Sequence, residues 1–415
     1  MVWRYETIRL GYLLIFPYQF KIKISMKKMN QIKTCLVLGI LALSSNIALA
    51  DEGNVRAGQA GFTQLLINGW GRNSGLGNSN SAGVFGIEAF HMNIAGLGKI
   101  SSTEIGFSRT SWLGGTGINI NAFGFGQRVG GDGVLGIAVN SFSIGQIPIT
   151  TTEQPNGGLG TYKPSISNIS LGYAYNFTSD ISAGVNFKVV SESTPEIRTG
   201  GIAIDAGLQY ATKLFQGSQK SRTKYLSSNP AALRESDLRF GVSIKNLGPD
   251  LKYSGDGLAV KSNIYSNYVT TTSQRADKTQ LPSLINIGFG YDFRLDSDSL
   301  LYWHRLSALA NFTNNSFSSN QTSLGLEYAY KEILMFRTAF DYEKGIFNYD
   351  TRRTAYTGLN IGTTVQFALG KKSGVDAKTK NVQRENNSTL GIDYSYRFTN
   401  PFSGTHTFGL RVSLD

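Results

Sequence analysis

Cysteine is almost missing from this chain: 415 residues hold one, Cys35, near the N-terminus. A mature chain beginning after it has no thiol, which excludes disulfides and Cys-metal sites and lets the chain tolerate an oxidising compartment without using it. Histidine is nearly as scarce. His91, His304 and His406 stand far apart and lack metal-ligand spacing, so neither a metal nor any other cofactor is expected. No segment after residue 50 approaches a run of about 18 apolar residues, and no helical membrane span is expected. The G-x-S-x-G elbow of a serine hydrolase is absent too, and nothing argues for an enzyme.

The N-terminus reads as a leader. Lys27, Lys28 and Lys33 form a basic region, Cys35 to Leu43 an apolar one, and Ala48-Leu49-Ala50 a cleavage site. Residues before Met26 look like an over-extended start, because Met26 or Met29 gives a conventional signal length. Residues 1–50 are therefore set aside, with cleavage after Ala50 and a mature chain from Asp51. The formal charge of +12 shrinks with them: 33 basic against 27 acidic residues remain. Half of the basicity belongs to the leader, and a nucleic-acid partner is not expected.

What the chain does have is alternation. In His406-Thr407-Phe408-Gly409-Leu410-Arg411-Val412-Ser413-Leu414 the even positions from 408 are apolar, and the odd ones are small, polar or charged. That is a strand with one apolar and one wet face. Fourteen such segments recur, roughly 103–112, 117–128, 134–144, 167–178, 181–191, 201–212, 237–247, 283–294, 300–312, 320–330, 333–343, 357–368, 388–399 and 404–414. Their length suits a tilted crossing of hydrocarbon. The expected fold is all-β, a transmembrane antiparallel β-barrel of about fourteen strands over residues 103–415, in the outer membrane and in contact with its lipid. The even strands four, eight, ten and twelve end in Phe177, Phe293, Tyr330 and Phe367, as a periplasmic aromatic girdle does. Short links follow strands 4, 8 and 10. Residues 213–236 and 369–387 are long and basic on the same side, against that parity.

Residues 51–102 do not read as strands. They are rich in Gly, Asn and Ser, yet Trp70, Phe85, Phe90 and Leu97 need burial. An N-terminal hatch, or plug, folded into the barrel is expected. The inward phase of the strands carries Asp205, Arg239, Lys245, Asp292, Arg305, Glu327, Arg337, Asp341, Glu343, Asp393, Arg397 and Arg411. Interspersed signs suggest a paired network that holds a plug, beside the plainer reading that any lumen is wet. In strands 2 and 3 the apolar phase switches, from Ile118 and Ile120 to Phe123 and Phe125, and from Leu135, Ile137 and Val139 to Phe142 and Ile144. Paired bulges or kinks, and with them a lateral discontinuity near residues 121–142, are expected from that switch.

The run Asn93-Ile94-Ala95-Gly96-Leu97, just before the first strand, resembles the Asn-Pro-Ala-Gly hatch signature of the FadL superfamily. With Arg72-Asn73-Ser74-Gly75-Leu76-Gly77, Ser111-Trp112-Leu113, Phe142 to Ile147 and Asn246-Leu247-Gly248-Pro249, the mature chain is similar to the PorV/PorQ branch of Bacteroidetes. Ile94 stands where the signature has proline, which removes a rigid turn. The resemblance implies a protein-binding barrel of type IX secretion. Its partners would be translocon or attachment proteins, or the C-terminal domains of cargo. Asn93, Ala95, Gly96 and Leu97 are then candidate hatch residues. The outer loops 145–166 and 248–282 are candidate contact surfaces, with Pro249, Lys252, Tyr253 and Asp256 as binding residues. The alternative is a FadL-like transporter of hydrophobic small molecules; a non-selective porin is a third reading, to which the hatch is an obstacle. A charged, plugged lumen favours binding, and an apolar track favours transport.

Overall fold

A computed structural model describes residue 56 and residues 58–212, 237–265, 268–295, 303–369 and 388–415. The leader and the basic links 213–236 and 370–387 lie outside the described residues. Among the described residues, fourteen antiparallel strands close into one barrel. In chain order they are β1 (Thr103–Trp112), β2 (Ile118–Val129), β3 (Gly133–Ser143), β4 (Ser165–Asn176) and β5 (Ile181–Ser193). Then come β6 (Arg198–Thr212), β7 (Leu238–Leu247), β8 (Leu284–Arg294), β9 (His304–Asn315) and β10 (Gln321–Tyr330). The last four are β11 (Leu334–Glu343), β12 (Tyr356–Ala368), β13 (Thr389–Thr399) and β14 (Thr405–Leu414). Every strand pairs with its neighbour in sequence, and β14 closes on β1 with Leu410 opposite Phe107.

Alternation explains the wall. On β4, Ile169, Leu171, Tyr173 and Tyr175 point out, while Ser170, Gly172 and Ala174 are buried inside. Closure removes every edge of the barrel sheet, so an apolar exterior meets lipid without unpaired backbone groups. Such a barrel belongs in the outer membrane. Of the girdle residues, Phe177 and Phe367 are exposed, whereas Phe293 is covered, with the Tyr291 ring 4.6 Å away.

The lateral discontinuity expected near residues 121–142 is absent. β2 pairs residue for residue with β3 from Asn119–Ser143 to Val129–Gly133, and with β1 from Trp112–Ile118 to Thr103–Gln127. β3 pairs with β4 equally evenly. The backbone never changes phase; the surroundings do. Towards the outer end, Ile120 (1% exposed) and Phe142 (7% exposed) point inward. A Cβ on Gly69 of the hatch would lie 3.4 Å from Ile120 Cγ2. Asn119, Asn121, Ser141 and Ser143 take the outward phase there, where the wall leaves the lipid. Apolar inside and polar outside is the pattern of a strand rising past the bilayer while still packed on a plug.

The ladder shifts elsewhere. Between β6 and β7 the register slips at Ile204/Ala206, and Asn246 takes a left-handed φ of 58°. Asp205 Oδ1 accepts the Asn246 backbone N–H at 2.8 Å. The Asn246 side chain accepts from Lys188 Nζ at 2.9 Å and donates to the Pro282 carbonyl at 3.0 Å. A bulge left unbraced would expose backbone groups inside the wall; here the Asp205 and Asn246 side chains each satisfy one, and Lys188 holds Asn246 in place.

Candidate functional site: the hatch and the sectors of the lumen

The hatch is a series of single turns. The short segments Thr63–Leu66, Gly71–Ser74, Gly86–Glu88, Ala89–Met92 and Ile94–Lys99 are 3-10 or one-turn helices. Turns this short are marginal alone and depend on packing. They find it because the wall offers glycine. On each of β1 to β7 a glycine faces the hatch, among them Gly106, Gly172 and Gly241. A Cβ on Gly172 would stand 2.7 Å from Phe90 Cε1, and one on Gly241 2.7 Å from Ala82 Cα.

The four candidate hatch residues are all buried. Asn93 anchors the hatch. Its Oδ1 accepts the Ala95 N–H at 3.2 Å, capping the turn that follows. Its Nδ2 donates towards the carbonyls of Ser81 (3.0 Å), Leu208 (3.1 Å) and Val242 (3.3 Å), tying two hatch segments to β6 and β7. Ile94 occupies the first helical position, where proline fits by its fixed φ. Its side chain reaches the Gly172 site instead, at 2.8 Å. Ala95, Gly96 and Leu97 pack without exposure; any Cβ on Gly96 would collide with the Val84 carbonyl.

The lumen divides into sectors. From β7 round to β1 each strand gives one polar side chain to a ladder whose charges alternate in sign, with Thr364 its one neutral member: Arg239, Asp292, Arg305, Glu327, Arg337, Thr364, Asp393, Arg411 and Glu104. Arg239 meets Asp292 at 2.5 Å, and Arg305 and Arg337 share Glu327 at 2.8 and 2.6 Å. Arg337 donates to Thr364 at 2.5 Å, and Thr364 donates to Asp393. Ser307 bridges Arg305 and Asp292. This is the paired network that the mixed signs suggest, and it does hold the plug. Asp341 accepts the Asn78 N–H at 3.0 Å and Glu104 the Ile87 N–H at 2.9 Å. Phe85 of the hatch lies between Arg72 (3.6 Å) and Arg411 (5.7 Å).

The sector β2 to β4 is different. Its inward residues include Ile120, Ala122, Gly124 and Gly126 on β2, and Phe142, Ala138, Gly136 and Val134 on β3, with Asn140 the polar exception on β3. Apart from Arg128 at the periplasmic rim, the sector is uncharged. Against it lie Trp70, Ile87, Phe90, Leu97 and Ile100, one apolar cluster with Ala122, Val134 and Ala138. Above β5 and β6 a second cluster joins Phe62 and Leu65 of the hatch to Val190, Ala203, Leu251 and Leu281.

The outer loop 248–282 completes that second cluster. Leu251 is buried, and Leu251–Lys252 pairs with Lys278–Thr279. Tyr253 donates to Glu192 Oε2 at 2.6 Å; burial and that carboxylate push its hydroxyl above the usual tyrosine range. Asp256 begins a single 3-10 turn, and Pro249, Lys252 and Asp256 are exposed. Loop and hatch meet at the mouth, where Ala60 bridges Gln280 and the Gly61 N–H donates to the Gln280 carbonyl at 3.0 Å. The candidate residues of the loop and those of the hatch therefore occupy separate places, the rim and the lumen. Sequence reasoning passed over Glu88, Glu104 and Lys188. For Glu104 and Lys188 a signal was available: each stands in the inward phase of its own strand. Glu88, which accepts the Asn73 N–H at 2.8 Å inside the hatch, had none.

No protein-family model matches this chain, and no curated protein does. Among solved structures it is similar to a deltaS2S3 mutant of the TodX monoaromatic hydrocarbon channel, at TM-score 0.46 and 11% identity over 84% of this chain and 99% of that one. It is similar also to a Pseudomonas aeruginosa FadL homologue (TM-score 0.44, 12% identity, 84% and 97% covered) and to the Pseudomonas putida toluene transporter TodX (0.43, 10%, 83% and 97%).

Proposed function

We propose that this outer-membrane barrel passes small apolar compounds along the seam between its hatch and the uncharged sector of its wall. One observation carries the reading. Buried charges stand on the strands from β5 round through β14 to β1 and spare β2 to β4, while β2 and β3 present an almost unbroken apolar column to the apolar face of the hatch. Apolar solutes gain from leaving water for such a surface, in proportion to the area they bury. The seam is closed by packing, so passage requires the hatch to shift. The strap at residues 60–65 lies over the outer mouth and is the first contact to release.

A lock tests this. A Cβ on Gly61 lies 3.5 Å from Thr279 Cβ, within the span of a disulfide. In Gly61→Cys/Thr279→Cys, oxidation is expected to cut cellular uptake of a small uncharged aromatic at least about tenfold, and reductant to restore it. Uptake that ignores the lock, or that never exceeds that of cells lacking the barrel, contradicts the proposal.

A protein-binding role, as the PorV/PorQ resemblance implies, is a second proposal. The hairpin Ala259–Tyr265/Tyr268–Ser273 in the outer loop favours it, being a two-stranded ribbon with Val260 and Val269 exposed. Such a ribbon is a template for an added strand. Type IX translocon proteins, attachment proteins or cargo C-terminal domains would be the partners. Cargo secretion and co-purifying proteins unchanged by deletion of residues 250–280 would remove this reading.

A further inference from the structure

We infer that the loop joining β11 to β12, residues 344–355, is a docking surface for the phosphate groups of outer-leaflet lipid. The loop is amphipathic in an unusual place. Phe347 is 81% exposed, yet its ring lies nearly parallel to that of Phe340 (5.8 Å, 13°). Phe340 is on the outward phase of β11, and Tyr342, the next outward residue, is 6.3 Å from the same ring. The loop therefore folds down along the lipid face rather than out into water.

The same short loop carries three cations. Lys344 and Arg353 are exposed. Arg352 is held by donating to the Asn400 carbonyl at 2.6 Å, and its guanidinium lies 5.7 Å from the Tyr349 ring. Against these three cations stand Asp350 in the loop and Glu343, the last residue of β11, whose carboxylate interacts electrostatically with Arg353 and Arg352. An exposed ring on the lipid-facing side, in a loop whose Arg352 guanidinium lies 5.7 Å from the Tyr349 ring, matches an amphiphile whose apolar tails carry phosphate at the head. Arginine, with its planar fork, suits phosphate oxygens. The partner that fits is a phosphorylated glycolipid of the outer leaflet.

The test uses the full barrel in detergent micelles and native mass spectrometry with bisphosphorylated lipid A. Wild-type protein is expected to retain it at least about tenfold better than the dephosphorylated form. Arg352→Gln/Arg353→Gln should lose that preference. Phe347→Ser should weaken retention of both forms alike. Each variant is first shown to keep its β-sheet circular dichroism and its heat-dependent gel shift. Equal retention of the two lipid forms by wild type, or a preference untouched by the double substitution, overturns the inference. Displacement by millimolar inorganic phosphate overturns it as well, because the site would then be one for free phosphate.

Discussion

Glu327→Ala is expected to cost the folded barrel about 3–5 kcal/mol, the price of leaving buried charges without their partner. Glu327 is 3% exposed and receives both Arg305 (2.8 Å) and Arg337 (2.6 Å). Its loss leaves Arg337 with Thr364 and with no other carboxylate at hydrogen-bond distance among its described contacts. Arg305 keeps Glu332 at 2.6 Å and so suffers less. Denaturant unfolding in lipid measures the effect. Glu327→Gln, which keeps the shape and can still accept, should fall between wild type and Ala. Glu192, whose partner Tyr253 is only part-buried, is the control: its replacement should cost about 0.5–1.5 kcal/mol. Equal costs at the two sites would mean that the ladder contributes no more than a rim contact.

Gly241→Val is expected to convert the closed barrel into a conducting one. A Cβ at residue 241 would stand 2.7 Å from Ala82 Cα and 2.7 Å from the Ser81 carbonyl oxygen, backbone against backbone. No side chain there can rotate away, unlike at Gly172, where Phe90 and Ile94 can yield. The strand itself tolerates valine well, so the barrel should still close and the hatch should be the part displaced. Planar-bilayer recordings should show stepwise ion conductance absent from wild type, together with new protease cleavage between residues 60 and 100. A silent variant with a protected hatch would show that the wall yields instead.

Strand positions were legible in the sequence because a wall with lipid outside and water or plug inside enforces a period of two. β1 falls at 103–112 as expected, and β13 and β14 within one residue. β9 is the poorest match, expected at 300–312 and found at His304–Asn315, because its outer end is polar on both faces: Asn311, Thr313 and Asn315 inward, Asn314 outward. Ile120 and Phe142 misled for the complementary reason. Apolar residues on the inner face mark contact with a hatch, and periodicity alone cannot tell a plug from a bend. The inward charges were legible one by one, but not their order around the barrel. That order depends on which strand neighbours which and on the stagger between them. The role of Asn93 was legible only as a motif; the three carbonyls near its amide come from segments as distant as residues 81, 208 and 242. The β6–β7 bulge left no trace, since Asp205 and Asn246 are polar residues in ordinary strand surroundings.

The most direct measurement of the proposed route is photo-crosslinking with a small apolar diazirine probe, mapped by peptide mass spectrometry on the barrel in lipid. Adducts on inward residues of the seam, Ile87, Phe90, Ile120 and Phe142 above all, are the expected result, in addition to those on lipid-facing residues such as Leu171. They should fade when an unlabelled apolar competitor is added. Labelling confined to the lipid face, with Ile120 and Phe142 untouched, would contradict passage along the seam.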